Sequence, residues 1–275
     1  MLVVCGSISA LFAEETIRIT GIPDENPTEL ARKYQPMVTY LESKLGVKVS
    51  YVPVTDYGAA VSAMVAGKID FAWLGGFTHV QARVLSGAQP VVMRDIDRKF
   101  RSVFIAEVDS GIQEPKDFKG KSFSFGSKSS TSGHLMPRHF LISKLKLNPE
   151  TDFTPSPVYS GAHDATVKLV ESGKVQGGVL NSEVWERLLN TGKVDQTKVR
   201  LVWTTPDYVD YVWTARKDLS ANTVLKFKEA FLALSVDLAA DKEILSLQGA
   251  TKFVEAFAAD FDSIEEIARE TGLLK

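Results

Sequence analysis

The chain has 275 residues, of which 44% are hydrophobic and 24% are charged, so it can bury a large core in one large or two small domains. Its formal net charge of −2 argues against a nucleic-acid partner, because there is no basic excess to bind a phosphate backbone. Local dipoles can still hold a small anion in a near-neutral protein. Cys5 is the only cysteine, which excludes an internal disulfide and a cysteine-based metal site.

The opening residues, 1–13, form an apolar stretch that ends just before Glu14. Their length and composition are typical of a secretory leader, although the usual basic start is absent. Residues 2–6, LVVCG, also resemble a lipoprotein cleavage site that would lipidate Cys5, but Val4 fits such a site poorly. No later segment approaches the ~20 consecutive apolar residues of a membrane-spanning helix. We therefore expect an exported, soluble protein, and a lipid anchor at Cys5 is the alternative.

Strand-like and helix-like segments alternate in the first part of the chain. Alternating apolar residues predict strands, and apolar residues spaced by three or four predict helices. The predicted strands are residues 16–20, 47–54, 69–74, 89–93 and 102–108, and the predicted helices are residues 28–45, 59–66 and 77–85. This order predicts an α/β fold with a mainly parallel sheet, in which ligands bind beyond the carboxyl ends of the strands. Tyr57, Trp73 and Thr78 fall at such ends.

The pattern restarts after residue 109 and gives a second α/β unit of a size typical of a lobe. Its predicted strands are residues 122–125, 153–158 and 174–180, and its predicted helices are residues 134–146, 165–171 and 183–189. Strands at 199–204 and 208–214 follow, and then helices at 221–239 and 251–272 on either side of a break at 244–249. We expect residues 14–104 and 205–275 to form one lobe and residues 105–204 to form the other.

One stretch, FSFGSKSSTSGHLMPRHF at residues 123–140, carries the main functional signal. A predicted strand ends at Gly126 and leads through serine, threonine and glycine into a predicted helix. Free backbone N–H groups, the positive end of the helix dipole and several hydroxyls would meet at one point, which suits a small oxyanion. A serine-rich helix cap without any ligand is the alternative that this stretch leaves open.

Four local sequences resemble the solute-binding proteins of phosphonate, phosphite and phosphate ABC importers, with the phosphite-binding members most similar. They are DYGAAVSAMVAGKIDFAWLGG at 56–76, GSKSSTSG at 126–133, SGAHDATV at 160–167 and PDYVDYVW at 206–213. The resemblance implies an α/β fold of the type II periplasmic binding protein class, with two lobes joined by two crossing hinge strands. It also implies a periplasmic monomer that serves a membrane permease and needs neither cofactor nor metal.

The resemblance further implies which residues contact the ligand, namely Tyr57, Ser130, Thr131, Ser132, His163 and Asp210. The three hydroxyl residues would donate hydrogen bonds to three oxygens on one phosphorus. A histidine at a helix start, such as His163, is otherwise often a cap or a solvated residue. Lys128 and His134 flank the motif and are either solvated or supporting.

Asp210 would discriminate among anions. A carboxylate repels an oxyanion unless the ligand brings a proton to share, so this residue would favour a P–OH group and reject fully ionised sulfate. The alternative is a surface aspartate paired with a lysine, and Asp207 competes for the same role.

Trp73, Tyr208, Tyr211 and Tyr57 are aromatic residues that could close the pocket. A dry aromatic wall would tolerate the P–H bond of phosphite and would leave a phosphate hydroxyl without a partner, at a cost of about 1–3 kcal/mol. Aromatic residues are more often part of a core, so packing alone is the alternative for each of them.

The sequence therefore predicts a binding protein, and no enzyme, for phosphite and methylphosphonate. The alternatives within the family are a phosphonate- or phosphate-specific protein and a sensor with the same fold. An enzyme would use a serine of residues 129–132, with His163 as base and Asp164 or Asp210 to orient it. The absence of a G-x-S-x-G turn and of a metal-ligand cluster among only four histidines argues against it.

Overall fold

The computed structural model describes residues 16–275. The predicted leader at 1–13, with both interpretations of Cys5, lies outside the described residues. Within the described part of the chain, no helix combines the length and the apolar character that are required to cross a membrane.

Strands and helices alternate along most of this part. The strands are β1 (Thr16–Gly21), β2 (Lys48–Tyr51), β3 (Phe71–Leu74), β4 (Gln89–Arg94), β5 (Ser102–Glu107), β6 (Phe123–Phe125), β7 (Val158–Tyr159), β8 (Gly177–Asn181), β9 (Val199–Thr204), β10 (Val212–Ala215) and β11 (Phe253–Glu255). The α-helices are α1 (Pro27–Leu45), α2 (Tyr57–Val65), α3 (Gly76–Ser86), α4 (Met136–Ser143), α5 (His163–Glu171), α6 (Ser182–Asn190), α7 (Ala221–Leu232), α8 (Ala239–Gln248) and α9 (Asp262–Glu270).

The strands form two sheets, each the centre of one α/β lobe. The first sheet has the strand order β11-β4-β10-β3-β1-β2, and the second has the order β7-β6-β8-β5-β9. In each sheet the β-α-β part is parallel, as predicted, whereas the strands that enter or leave the lobe pair antiparallel. Both sheets are therefore mixed rather than mainly parallel.

Two crossing segments join the lobes. The chain leaves the first sheet after β4 and enters the second at β5, and it returns from β9 to β10. Phe100 and Tyr208 exchange two backbone hydrogen bonds, of 2.8 and 3.0 Å, where these segments pass between the sheets. The predicted lobe boundaries, after residues 104 and 204, fall within β5 and at the end of β9, and the exact division stays a prediction.

Capping residues explain where α1 begins and ends. The Asn26 side chain accepts a hydrogen bond from the Glu29 N–H at 3.2 Å, and Pro27 occupies the first turn, where its missing N–H costs nothing. Gly46 ends the helix in the left-handed conformation, with φ of 70°. The loop before α1 is thereby held at the edge of the cleft between the lobes.

Two predicted elements of the second half are wrong. The predicted strand at 153–158 is irregular up to the short β7, because Pro155 and Pro157 have no N–H to donate to a sheet. The region 251–272, predicted to hold the last helices, does contain α9, but its first part forms β11, which pairs with β4 at the edge of the first sheet. Pairing with a distant strand is not visible in local spacing.

The predicted boundary between the late helices is also wrong. The helix predicted at 221–239 ends at Leu232, and α8 covers most of the break predicted at 244–249. Gly249, with φ of 65°, ends α8, so the glycine marks the end of a helix rather than the middle of a loop.

Candidate anion-binding site

The segment between β6 and α4 forms a π-helical turn at Thr131–Leu135. Ser130 caps this turn, because its Oγ accepts a hydrogen bond from the Gly133 N–H at 2.9 Å. The Gly126 N–H donates to the Gly133 carbonyl at 2.8 Å, and a Cβ on Gly133 would lie 3.2 Å from the Gly126 Cα. A glycine is therefore needed for the loop to fold back over the turn. Ser130, Thr131 and Ser132 are each at most 2% exposed.

His134 holds this loop in place. Its Nδ1 lies 2.7 Å from the Lys128 carbonyl oxygen, which can only accept, so Nδ1 carries the proton. Its Nε2 then accepts from Arg138 Nε at 3.0 Å and from the Tyr159 hydroxyl at 3.2 Å. Burial lowers the pKa of His134 to about 4, so the ring is neutral. The sequence left open whether His134 is solvated or supports the motif. In the structure it supports the motif.

Residues from distant parts of the chain meet at the start of α3. The Phe77 N–H donates to Thr131 Oγ1, and the Gly76 N–H donates to Asp210 Oδ1, each at 2.9 Å. A Cβ on Gly75 would lie 2.9 Å from Thr131 Oγ1 and 3.1 Å from Asp210 Oδ1. Gly75 thus allows both side chains to approach the helix N-terminus. The Thr131 hydroxyl accepts from the Phe77 N–H and also lies close to the Asp210 carboxyl group.

Asp210 is 1% exposed, and its environment makes protonation easy. Burial raises its pKa to about 7, while the Gly76 N–H and the nearby hydroxyls of Thr131 and Ser132 lower it by less. Its Oδ2 has no hydrogen-bond partner among residues 16–275, since neither hydroxyl reaches that atom with hydrogen-bond geometry. One carboxyl oxygen is therefore anchored and the other is free to share a proton.

His163 is the first residue of α5 and faces two tyrosines. Its backbone N–H donates to the Asp24 carbonyl at 2.9 Å, which fixes the start of the helix against the other lobe. The Asn181 N–H donates to His163 Nδ1 at 3.4 Å, so Nε2 carries the ring proton. This Nε2 lies 3.5 Å from the Tyr57 hydroxyl and 3.4 Å from the Tyr211 hydroxyl. Burial lowers the pKa of His163 to about 4, so the ring is a neutral donor.

Tyr57 begins α2 in the first lobe. The Asp56 side chain caps this helix by accepting from the Ala59 N–H at 2.8 Å, which orients the tyrosine toward the interior. Burial raises the pKa of Tyr57 far above its ordinary value, so the hydroxyl keeps its proton. That hydroxyl also lies within hydrogen-bonding reach of Ser130. Tyr57 consequently links Ser130 to His163.

Tyr208 supports the site from behind. The Ser102 Oγ donates to the Ser132 carbonyl at 2.7 Å, so its single proton is used. The Tyr208 hydroxyl, 2.5 Å from Ser102 Oγ, must then be the donor in that bond. This relay fixes the backbone of Ser132. Burial and, after it, the nearby charge of Asp210 raise the pKa of Tyr208 well above its ordinary value, so the tyrosine lies close to that carboxyl group.

Trp73 contributes to a wall rather than to the hydrogen bonds. It lies in β3, is 1% exposed and stacks on Tyr211, with ring centroids 5.6 Å apart and planes inclined by 18°. Tyr211 accepts from Asn181 Nδ2 at 2.9 Å through the hydroxyl that faces His163. The Tyr211 hydroxyl therefore meets His163 at the start of α5, and the Trp73 ring packs against the Tyr211 ring.

The structure brings most of the predicted site residues together. Those that meet in one buried cluster are Tyr57, Ser130, Thr131, Ser132, His163 and Asp210. Asp207 instead pairs with Arg101 at 2.5 Å on the surface, so it is not part of the site. Sequence reasoning missed the N–H groups of Gly76 and Phe77. The glycine pair between a predicted strand and a predicted helix was the available signal.

The lobes also contact each other at the outer edge of the cleft. Lys193 Nζ lies 2.8 Å from Glu29 Oε1, and Asn26 Nδ2 donates to Asp164 Oδ2 at 3.0 Å. Arg187 forms an ion pair with Glu25. A cavity of about 1180 Å³ lies along this outer edge. The buried cluster of predicted site residues thus lies between contacting lobes.

Two α/β lobes joined by two crossing strands, with a polar space buried between them, define a type II periplasmic binding protein. A sequence profile for the periplasmic substrate-binding proteins of phosphonate ABC transporters matches residues 19–261. The chain belongs to this family.

Individual relatives agree with this assignment. The chain is 34% identical to a probable ABC transporter phosphite binding protein, PhnD1, from Prochlorococcus marinus, over 95% of this chain and 91% of the relative. It is 30% identical to the phosphate-import protein PhnD of Mycolicibacterium smegmatis, over 79% of this chain and 71% of that protein. The solved structure of P. marinus PhnD1 in complex with methylphosphonate superimposes with a TM-score of 0.89, over 94% of this chain and 98% of that one.

Proposed function

We propose that this protein binds phosphite, and also methylphosphonate, between its lobes and delivers the anion to the permease of an ABC importer. The observation that carries the proposal is the meeting of Thr131 and Asp210 at the N-terminus of α3, where a carboxyl oxygen without a hydrogen-bond partner among the described residues lies near the hydroxyls of Thr131 and Ser132. A relative named for phosphite and another solved with methylphosphonate support the same ligand class.

Neutral donors suffice for such an anion. The hydroxyls of Ser130 to Ser132, the Tyr57 hydroxyl and the Nε2–H of His163 border the space, and none of them carries a charge. A hydrogen bond to a charged acceptor is worth about 1.5–3 kcal/mol, so several together give tight binding without arginine or lysine.

Asp210 supplies the selectivity in this proposal. With a pKa of about 7 before any anion is bound, it would share one proton with the ligand through Oδ2. In this proposal the ligand's P–OH supplies that proton to ionised Asp210. Sulfate brings no proton, and ionised Asp210 would repel it.

Phosphate is the second candidate, because one relative is named a phosphate-import protein. Phosphate carries a hydroxyl or an oxygen where phosphite has P–H. In a space bordered by Trp73 and Tyr211, that extra polar group lacks a partner, at a cost of about 1–3 kcal/mol. Phosphite should therefore bind about 10- to 100-fold more tightly.

Isothermal titration calorimetry at pH 7 tests this proposal with phosphite, methylphosphonate, phosphate and sulfate. We expect phosphite and methylphosphonate to bind most tightly, phosphate more weakly and sulfate not at all. Failure of all four ligands at millimolar concentration would overturn the proposed function. Tighter binding of phosphate than of phosphite would instead support the second candidate function, phosphate binding.

Catalysis is not part of the proposed role. Among the described residues, no serine hydroxyl is hydrogen-bonded to His163, and Asp164 bonds to Asn26 instead of orienting the imidazole. The relatives are transport proteins. We infer a periplasmic binding component that works with a permease, as the family does.

A further inference from the structure

Arg94, the last residue of β4, is buried behind the anion-binding site at 5% exposure. Its Nε and Nη2 donate to the two carboxyl oxygens of Asp97 at 2.9 and 2.6 Å, and its Nη1 donates to the Gln248 carbonyl at 2.8 Å. These bonds hold the planar guanidinium in one orientation. A lysine could not reproduce them, because it lacks the rigid fork.

The guanidinium lies against the aromatic wall. Its central carbon is 5.2 Å from the centroid of the Tyr211 ring, 5.4 Å from that of Trp73 and 5.7 Å from that of Phe100. Cation–π contacts of this kind are stronger when the pair is shielded from water, as it is here. Arg94 therefore fixes the positions of the two stacked rings that border the site.

The same ion pair supports Asp210. The Asp97 carbonyl accepts a hydrogen bond from the Asp210 N–H at 3.0 Å. Arg94 thus acts on the site by two routes, through the Tyr211 ring and through the backbone that carries the selective carboxyl group, without facing the ligand.

A cavity of about 250 Å³ lies beside these rings, and Trp73, Arg94, Asn181 and Tyr211 are among the mostly polar and charged residues that line it. It has room for several groups of water size, which occupy about 30 Å³ each in the liquid. The Tyr211 ring borders the cavity while its hydroxyl faces His163, so this side chain stands between the cavity and the anion.

We propose that Arg94 is a positioning residue that sets the upper limit on ligand size, because it holds the Trp73–Tyr211 wall between the anion and this cavity. The inference rests on the proposed function. A ligand with a substituent no larger than methyl leaves the wall in place. A propyl substituent must displace it, and the cost of that displacement includes breaking the contacts of Arg94.

The experiment compares methylphosphonate with propylphosphonate by calorimetry in the wild-type protein and in Arg94→Lys. The control is Arg98→Lys, the same exchange at a half-exposed arginine that pairs with Asp260. In the wild type and the control we expect methylphosphonate to bind at least about 100-fold more tightly than propylphosphonate. In Arg94→Lys this ratio should fall about tenfold, because the rings can move into the cavity.

An unchanged ratio in Arg94→Lys, or an equal loss of affinity for both ligands, would overturn the inference, since a merely structural role weakens both alike. If Arg94→Lys does not fold, the paired exchange Arg94→Gln with Asp97→Asn leaves no buried charge alone and carries the same expectation. Wild-type protein that binds phosphite but prefers propylphosphonate would refute this inference alone. Wild-type protein that binds none of these anions would refute the proposed function and this inference with it.

Discussion

Thr131 and Asp210 lie in different sheet connections, yet they accept hydrogen bonds from consecutive N–H groups at the start of α3. Thr131 follows β6 of the second lobe, whereas Asp210 precedes β10 of the first. The candidate anion-binding site therefore includes residues of both lobes that bond to one helix start. An anion that bonds to residues of both lobes also stabilises the state in which the lobes touch.

Removing the Thr131 hydroxyl tests this coupling. Thr131→Val keeps the shape of the side chain, leaves the Phe77 N–H without its partner and removes one donor to the ligand. We expect phosphite affinity to fall about 10- to 100-fold by calorimetry, which is the cost of 1.5–3 kcal/mol. Thr197→Val is the matched control, because the Thr197 hydroxyl bonds to Asp195 on the surface. Equal affinities in both variants would contradict the placement of Thr131.

Asp210→Asn tests the sharing of a proton. The amide keeps the size of the side chain, but it cannot ionise and cannot exchange a proton with the ligand. Phosphite affinity should fall about 10- to 100-fold, and the ratio of phosphite affinity to sulfate affinity should decrease. Asp207→Asn, which removes the partner of the surface residue Arg101, should leave both unchanged. Sulfate rejection that persists in Asp210→Asn would show that another group selects the anion.

The stability of the ligand-free protein should depend on pH through its buried histidines. Burial lowers the pKa of His163 and of His134 to about 4, against about 6.5 in an unfolded chain. Between these values the unfolded chain binds more protons, so stability is lost as pH falls from 6.5 toward 4. His163→Gln should reduce this slope by about 1 kcal/mol per pH unit in urea unfolding. His139→Gln, at a half-buried residue, should reduce it less.

Asp210 acts on stability in the opposite direction. Burial raises its pKa to about 7, so the folded protein binds more protons than the unfolded chain between pH 4 and 7. Stability is therefore lost as pH rises through this window. Ligand-free Asp210→Asn should unfold at a higher urea concentration than the wild type at pH 8 and should differ little at pH 4. A lower urea midpoint for Asp210→Asn than for the wild type at pH 8 would contradict this prediction. It would mean that the ionised Asp210 carboxylate does not destabilise the folded protein.

The ion pair between Lys193 and Glu29 should affect how long the lobes stay together. The pair joins the two lobes at the surface, where such pairs are worth about 0.2–1 kcal/mol. Lys193→Met should therefore release phosphite about two- to fivefold faster in stopped-flow fluorescence, with a smaller change in association rate. Lys198→Met removes a contact to the neighbouring Asp195 and should leave the release rate unchanged. Similar rates in both variants would exclude a role for Lys193 in holding the cleft.

Much of the fold was predictable because its signals are local. The alternation of apolar residues predicted β1 and β9 closely, and caps such as Asn26 and Gly46 define α1. The strand β11 was not predictable, because it exists only through pairing with β4.

The candidate site likewise has a part that local sequence predicts and a part that depends on distant contacts. The hydroxyl run before α4 and the helix start at His163 are visible as sequence motifs, so these residues could be proposed from the chain alone. The use of Thr131 as a partner of α3, the proton position on His163 and the support of Ser132 by Tyr208 depend on contacts between distant segments. Local spacing does not contain that information.

A crystal structure of the protein grown with phosphite is the decisive measurement. We expect a phosphorus atom enclosed between the lobes, with one oxygen within hydrogen-bonding distance of Asp210 Oδ2 and others bonded to the Thr131 hydroxyl and to His163 Nε2. An anion bound in the outer groove, or phosphite density remote from Asp210 at saturating concentration, would contradict this expectation.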